Sequence, residues 1–536
     1  MVLLLGMATS LWITIAGFGW VFTGVRNITG LGIPGSILAF TAYTLLFNGK
    51  ILLLFLLNVW LKPRLPEYPR LLFLFLGGDI LLYQLFPWYW GNLFAGGEIF
   101  LRFAAVLGVH GVSLAGFTLA YLGFHLADGL WKNKSGFSIK KILFMKREGW
   151  ITGGILAIPL ILFIHSEILE YRWKATAATA KNVTLGLVQT SIPIGREREK
   201  DNRDYIQNSM ELAFNYAVKI LMTSPNPVDL LVFPESSIPF HTTNQDFTQP
   251  EYMYSRTFHG IMSMVAYIGK TSVLYNETDF VHTVKKNPDG TIRKLVDSRN
   301  SLTLMNPALE RVSVYQKKHL LPFGEYIPSV LEEFFFFRRM LPEAGNFTSP
   351  AHPPIGHYDV LPSREGRITD PKSIPMEYLQ NPDELKASRP PGKTERHYFV
   401  ATLCYEAMFP EYVRSMAASA AEGKPVEFIL NPVNDAWFGN GVENYQHLNS
   451  ARFRAVENGL HLVRPALSGV SVVVDPTGKN VSRVLHPGER GIITATIPAA
   501  RLPGLFLLWG TFPVYLVLAG IFIFAWRALY RRPGAE

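Results

Sequence analysis

The chain has 536 residues, of which 49% are hydrophobic, 13% aromatic and only 17% charged, against roughly 25% charged in an ordinary soluble domain. That balance excludes disorder, collagen and coiled coil, and a mean hydropathy of +0.16 places part of the chain in lipid. The net charge is +9 and there is one cysteine, Cys404. Basic residues that bracket apolar runs are topology determinants rather than a nucleic-acid patch, and one cysteine permits neither an internal disulfide nor a thiolate zinc site.

Apolar runs near 2–22, 35–60, 71–89, 101–127, 149–168 and 505–527 approach or exceed the roughly 20 residues that cross a bilayer. Lys62, Arg64 and Arg70 follow the second run, Lys132, Lys134, Lys140, Lys141, Lys146 and Arg147 the fourth, and Arg527, Arg531 and Arg532 the sixth. Because basic residues in short loops mark the cytoplasmic side, all three clusters predict one orientation, with both termini cytoplasmic and the long segment between runs five and six outside. The first run has no basic leader and is followed by another span, so it reads as a retained helix. Gly30-Leu-Gly32-Ile-Pro-Gly35 has dinucleotide spacing, but it sits between two spans and contains a proline, so no nucleotide is expected there. The expected organisation is a helical membrane domain over 1–180 with about five spans, an α/β domain over 181–500, and a last span and tail over 501–536.

From Asn182 onward the texture changes to short β-rich stretches: 183–188, 230–233, 272–274, 399–403, 428–430, 469–474 and 492–496. Helical patterns at 203–222 and 449–461 lie between them, the alternation of a layered α/β domain. Asn287-Pro-Asp-Gly290 reads as a hairpin turn, and 349–393, rich in Pro and charge, as a surface insertion.

Three chemically complementary groups fall at predicted strand ends, where ligands bind in open α/β sheets. Glu235 follows Leu-Val-Phe-Pro, Lys317 lies in Tyr315-Gln-Lys317-Lys-His-Leu-Leu-Pro-Phe-Gly-Glu325, and Cys404 ends Ala401-Thr-Leu-Cys404-Tyr405-Glu406. A thiol needs a base to become a nucleophile, and an acyl group attacked by sulfur develops an oxyanion that a lysine stabilises. Taken singly, a cysteine on an apolar strand is usually core, a Pro-Glu pair a turn, and adjacent lysines a solvated pair. Their ordered co-occurrence carries the argument.

These words, with Asn434-Asp435-Ala-Trp437-Phe-Gly, resemble the nitrilase or carbon-nitrogen hydrolase superfamily, and the union with membrane spans looks like its apolipoprotein N-acyltransferase family. The resemblance implies an αββα sandwich with Glu235 as general base and acid, Lys317 as oxyanion stabiliser and Cys404 as nucleophile. Glu325, Tyr405 and Glu406 match supporting positions, the Tyr405 N–H is a natural second oxyanion donor, and Asn300 and Trp437 are similar to cavity-lining positions. No cofactor or metal is implied. The implied partners are the bilayer, a phospholipid acyl donor such as phosphatidylethanolamine, and the N-terminus of a diacylated apolipoprotein, in the bacterial inner membrane with the catalytic domain periplasmic. The family usually has eight spans, and Met1 falls where the third would begin.

A membrane-anchored amidase or nitrilase using water as acceptor is the alternative. Against it stands the aromatic run Phe334, Phe335, Phe336 and Phe337 beside the Lys317 motif, costly to expose to water and suited to a lipid gate, or else to a buried core. A transporter or receptor built around intramembrane Asp79 and His110 is the remaining reading, without an evident inverted repeat.

Overall fold

The computed structural model describes residues 1–132, 146–192, 203–237, 251–286, 292–307, 310–328, 347–349, 356–360, 395–419 and 426–530. Phe334 to Phe337, Asn287 to Gly290 and nearly all of 349–393 lie outside them.

The first apolar run forms α1 (Val2–Phe18) and α2 (Trp20–Thr29), bent by 68° at Gly19. The second is α3 (Ile33–Tyr43) joined to α4 (Lys50–Leu61) through a π turn at Thr44–Asn48. Two long helices follow, α6 (Glu98–Lys132) and α7 (Lys146–Ala178), and α12 (Phe512–Tyr530) is the last helix. Among the described residues three helices are long and apolar enough to cross a membrane, four if the bent pair is one span, with a shorter apolar helix over Phe512–Arg527.

The third expected run behaves differently. Its helix, α5 (Glu67–Ile80), has 14 residues, about 21 Å against a hydrocarbon core of about 30 Å. The rest of the run leaves helical geometry and packs on the α/β domain: Phe86 lies 6.3 Å from Tyr405 and 5.8 Å from Phe438, ring centre to ring centre. Aromatic side chains that look apolar to a hydropathy window are here interface packing.

Helix α6 is itself broken at Gly108, where φ is +68°. The Val109 N–H freed by the break donates to Glu457 Oε1 at 2.8 Å, a carboxylate carried by α11 (Val442–Asn458) of the α/β domain.

That domain contains two sheets. The first has the order β11-β1-β2-β3-β4-β5, from β1 (Asn182–Gln189), β2 (Leu230–Val232), β3 (Ser272–Lys286), β4 (Ile292–Met305), β5 (Arg311–Gln316) and β11 (Gly491–Pro498). The second runs β10-β9-β8-β7-β6, from β6 (Gly356–Val360), β7 (Glu395–Ala401), β8 (Phe428–Leu430), β9 (His461–Arg464) and β10 (Val472–Val474). Strand alternation assigns the two faces: Leu185 and Leu187 join one buried cluster with Val400, Ile429 and Leu462, which share a face of the second sheet, while Val188 faces α8 (Arg203–Thr223) and α9 (Glu251–Gly269) through Ala217, Ile220 and Val265. On the outer face of the second sheet lie α10 (Pro410–Ala418) and α11, which contribute Val413, Ala417, Ala451 and Ala455. The layers are therefore α, β, β, α, as the sequence leads one to expect. The hairpin expected around 287–290 is borne out in its pairing, since Lys286 opposes Ile292 and the two strands are antiparallel over their length.

Candidate active site

Strand direction brings the catalytic candidates to one place. β2 is parallel to β3, β3 antiparallel to β4, and β4 antiparallel to β5, so β2 and β5 point the same way. Glu235 follows the end of β2, and Lys317 the end of β5. The ladder extends one residue past β5, where the Lys317 N–H donates to the Asn300 carbonyl at 2.8 Å. From the second sheet β7 delivers Cys404, the first residue of a 3-10 turn over Cys404–Met408.

Lys317 is 2% exposed. Its Nζ donates to Glu235 Oε1 at 3.1 Å and to Glu325 Oε1 at 2.9 Å. The Asn300 amide bridges the same two oxygens, at 2.9 and 2.8 Å, while Glu325 Oε2 accepts the Leu321 N–H. Burial works against the Lys317 charge, but the negative potential of Glu235, Glu325, Cys404 and Glu406 outweighs it and holds the ammonium well above its ordinary range. This lysine is a fixed cation rather than a proton shuttle.

Cys404 is buried and has φ +47°, a left-handed conformation that costs a side-chain-bearing residue about 1–3 kcal/mol and clusters at functional sites. Burial pushes its thiol well up, Glu235 adds to the shift, and Lys317 opposes it. The resting group is therefore a thiol, and attack requires a base to take its proton.

Glu406 ties the two loops together. Its Oε1 accepts the N–H groups of Lys318 and His319, and its Oε2 accepts from the Leu403 N–H and the Tyr315 hydroxyl. Burial pushes its carboxyl up to about 7 against the pull of those donors and of Lys317. The Tyr405 hydroxyl reaches outward to the Leu85 carbonyl of the membrane part. Trp437 stands half-buried in a turn over Asp435–Phe438, and its carbonyl accepts from Asn27 of α2 at 3.0 Å. The described residues that the resemblance marks as catalytic or supporting thus lie in or against this one region, whereas Asp79 bonds the Trp90 N–H and His110 packs on Tyr89.

Two sets escaped the sequence reading. Asn276 donates to Asn300 Oδ1 at 2.6 Å and accepts the Ser236 N–H at 2.8 Å. It thereby fixes which end of the Asn300 amide faces the two glutamates. Behind Cys404, Asp435 pairs with His447 at 2.8 Å and with Arg464 at 2.9 Å, and His447 Nε2 lies 3.1 Å from the Cys404 carbonyl. Burial resists ionisation of Asp435, but His447 and Arg464 overcome it and hold the carboxyl below its ordinary range. Ligand atoms of Cys404, Asp435 and His447 lie within 4.8 Å of one another, yet both imidazole nitrogens and both Asp435 oxygens are engaged in these bonds. The set is a hydrogen-bond cluster, and His447 faces the main chain of Cys404 in the manner of a support rather than a base. Asp435 was visible in the Asn434-Asp435 word; His447 and Arg464 carried no local signal.

The carbon-nitrogen hydrolase family model matches residues 184–503, and the chain belongs to that family. Within it the chain is similar to curated proteins of one name. Apolipoprotein N-acyltransferase 1 of Leptospira interrogans is 29% identical over 485 residues, covering 87% of this chain and 78% of that protein. Apolipoprotein N-acyltransferase 2 of the same species is 30% identical over 430 residues, 77% and 67%, and the apolipoprotein N-acyltransferase of Rhodopseudomonas palustris 25% over 437 residues, 74% and 69%. An amidase from Nesterenkonia sp. is a more distant structural neighbour, with 18% identity and a TM-score of 0.36 over 62% of this chain and 95% of its own.

Proposed function

We propose that this protein moves a fatty acyl chain from a phospholipid, through a thioester on Cys404, to the N-terminal amino group of diacylglyceryl-cysteine apolipoproteins. Glu235 takes the thiol proton, the thiolate attacks the ester carbonyl, and Lys317 stabilises the tetrahedral oxyanion beside the Tyr405 N–H. Glu235 then returns the proton to the departing lysophospholipid. The apolipoprotein amine attacks the thioester, Glu235 accepts its proton, and the thiolate leaves. Glu325 and Asn300 hold Lys317 and Glu235 in register, Glu406 holds the Lys317 loop against the Cys404 turn, and Trp437 lines the approach.

The observation that carries the reading is the junction of site and membrane helices. Tyr405, next to the nucleophile, bonds Leu85; Trp20 donates to Gln446, and Gln446 to the Gly17 carbonyl. An enzyme acting on soluble amides has no need of such a seam, whereas both substrates here are lipids. The same seam puts the first and third connectors on the catalytic side. The basic residues of the second and fourth connectors favour a cytoplasmic position for those connectors, and with it a periplasmic catalytic domain over 181–500 on an inner-membrane anchor of 1–180 and 501–536. Phe334 to Phe337 complete the proposal as a lipid gate, with phosphatidylethanolamine as donor.

The test is the intact mass of the purified protein after incubation with phosphatidylethanolamine vesicles. One acyl mass, located on Cys404 and discharged by a diacylglyceryl-cysteine peptide, is expected. A Cys404→Ala protein that still acylates the peptide at the original rate overturns the assignment.

A further inference from the structure

The His447 ring makes two hydrogen bonds. Nδ1 lies 2.8 Å from Asp435 Oδ1, and Nε2 lies 3.1 Å from the main-chain oxygen of Cys404. A carbonyl has no proton to give, so in the bond to Cys404 it is Nε2 that donates. Arg464, fully buried, sets up this arrangement twice over: Nη2 holds Asp435 Oδ2 at 2.9 Å, and Nη1 holds Asn431 Oδ1 at 2.6 Å. With its oxygen so anchored, Asn431 turns its NH2 toward the Thr402 carbonyl at 3.2 Å and the Cys404 carbonyl at 3.4 Å. Glu443 is the other acidic group at the ring, 3.7 Å from Nδ1, and burial with the nearby Asp435 charge keeps it well above the ordinary carboxyl range.

The Cys404 oxygen belongs to the peptide unit whose nitrogen is that of Tyr405. No peptide among those described is cis, so C=O and N–H of this unit point in opposite directions. Holding the oxygen toward His447 and Asn431 aims the Tyr405 N–H away from them. No described acceptor takes that N–H. A donor on the carbonyl also polarises the peptide and strengthens its N–H as a donor.

We propose that His447 is a positioning residue oriented by Asp435, which Arg464 anchors in turn, and that its bond to the Cys404 carbonyl aims and polarises the Tyr405 N–H as the second oxyanion donor. The inference rests on the acyl-transfer reading above. It assigns a task to the ring that bonds the main chain at the nucleophile, and it accounts for the left-handed Cys404: the turn is clamped at its carbonyl by His447 and Asn431 and at its N–H by the Pro432 carbonyl, 2.9 Å away.

The test compares two reactions of Cys404 in the full-length detergent-solubilised protein. Acylation by p-nitrophenyl butyrate passes through an oxyanion, whereas alkylation by iodoacetamide displaces iodide directly and does not. Loss of an oxyanion donor costs about 10²–10³ in rate. Accordingly His447→Ala should acylate at least about tenfold more slowly than wild type while its alkylation rate stays within about twofold. His447→Gln, which keeps one neutral N–H near the Nε2 position, should recover part of the loss. Equal slowing of both reactions shows instead that His447 sustains the pocket or the thiolate, and unchanged acylation shows that it does not act on the oxyanion; either overturns the proposal. If the wild-type protein gives the ester acyl-enzyme but never transfers it to a lipopeptide, the acyltransferase reading fails while the His447 result stands.

Discussion

Replacing Lys317 by methionine removes one positive charge from between two buried carboxylates. In the native site Nζ and the Asn300 amide each touch both Glu235 Oε1 and Glu325 Oε1, at 2.8–3.1 Å. Oxygens sharing the same donors lie within about 6 Å of each other, where two like unit charges repel by roughly 3 kcal/mol at an effective dielectric of 20. Two consequences are expected of Lys317→Met. Turnover should fall by about 10²–10³ for loss of the oxyanion donor, measured as thioester formation on Cys404. Stability should also acquire a new pH dependence: without the cation the two carboxylates repel, the repulsion is relieved when one of them binds a proton, and it returns as pH rises and that proton leaves. Thermal melts of the variant should therefore worsen from pH 5 to pH 7 relative to wild type. A variant that keeps more than a tenth of wild-type turnover, or whose melting profile runs parallel to wild type, refutes the view of Lys317 as the fixed cation of this pair.

Other expectations follow from the same contacts. Glu406→Leu strands the N–H groups of Lys318, His319 and Leu403, each worth about 1–3 kcal/mol when unsatisfied and buried, so melting temperature and activity should fall together; an active variant of normal stability would show that the Lys317 loop does not depend on Glu406. In a background with Cys404 replaced, single cysteines at positions 140 and 289 should label from opposite sides of the membrane, and labelling from one side contradicts the proposed topology. Phe335→Asp combined with Phe336→Asp should slow acylation by long-chain phospholipid far more than by a short-chain thioester, and equal losses would identify the run as ordinary core.

The site was legible where chemistry coincides with a strand end. A buried strand is a short apolar run, and Glu235, Lys317 and Cys404 each interrupt or follow one within a distinctive word; order along the chain then suffices to suggest the constellation. Strands β4, β5, β6 and β9 were not singled out; β6 falls within 349–393, read as an insertion, yet pairs with β7, and β4 was missed for a reason related to function. β4 carries Asn300, Ser301 and Thr303, all buried, because its end builds the polar floor of the site, so the apolar signature of a buried strand is absent where function has replaced it. His447, Arg464 and Asn276 were illegible for a different cause. Their partners lie 12 to 43 residues away in sequence, and nothing local distinguishes a histidine that clamps a carbonyl from one that fills a core. Helix α5 shows the converse failure, a hydropathy run continuing through Phe86 and Trp88 although those rings pack on protein. What the sequence spells out are the groups that react; the groups that aim them become visible only when the sheets bring β2, β5, β7 and α11 to a common end. The division has a physical basis, because a nucleophile needs a particular functional group, whereas a support needs only a donor or acceptor of suitable reach, and several residue types meet that demand.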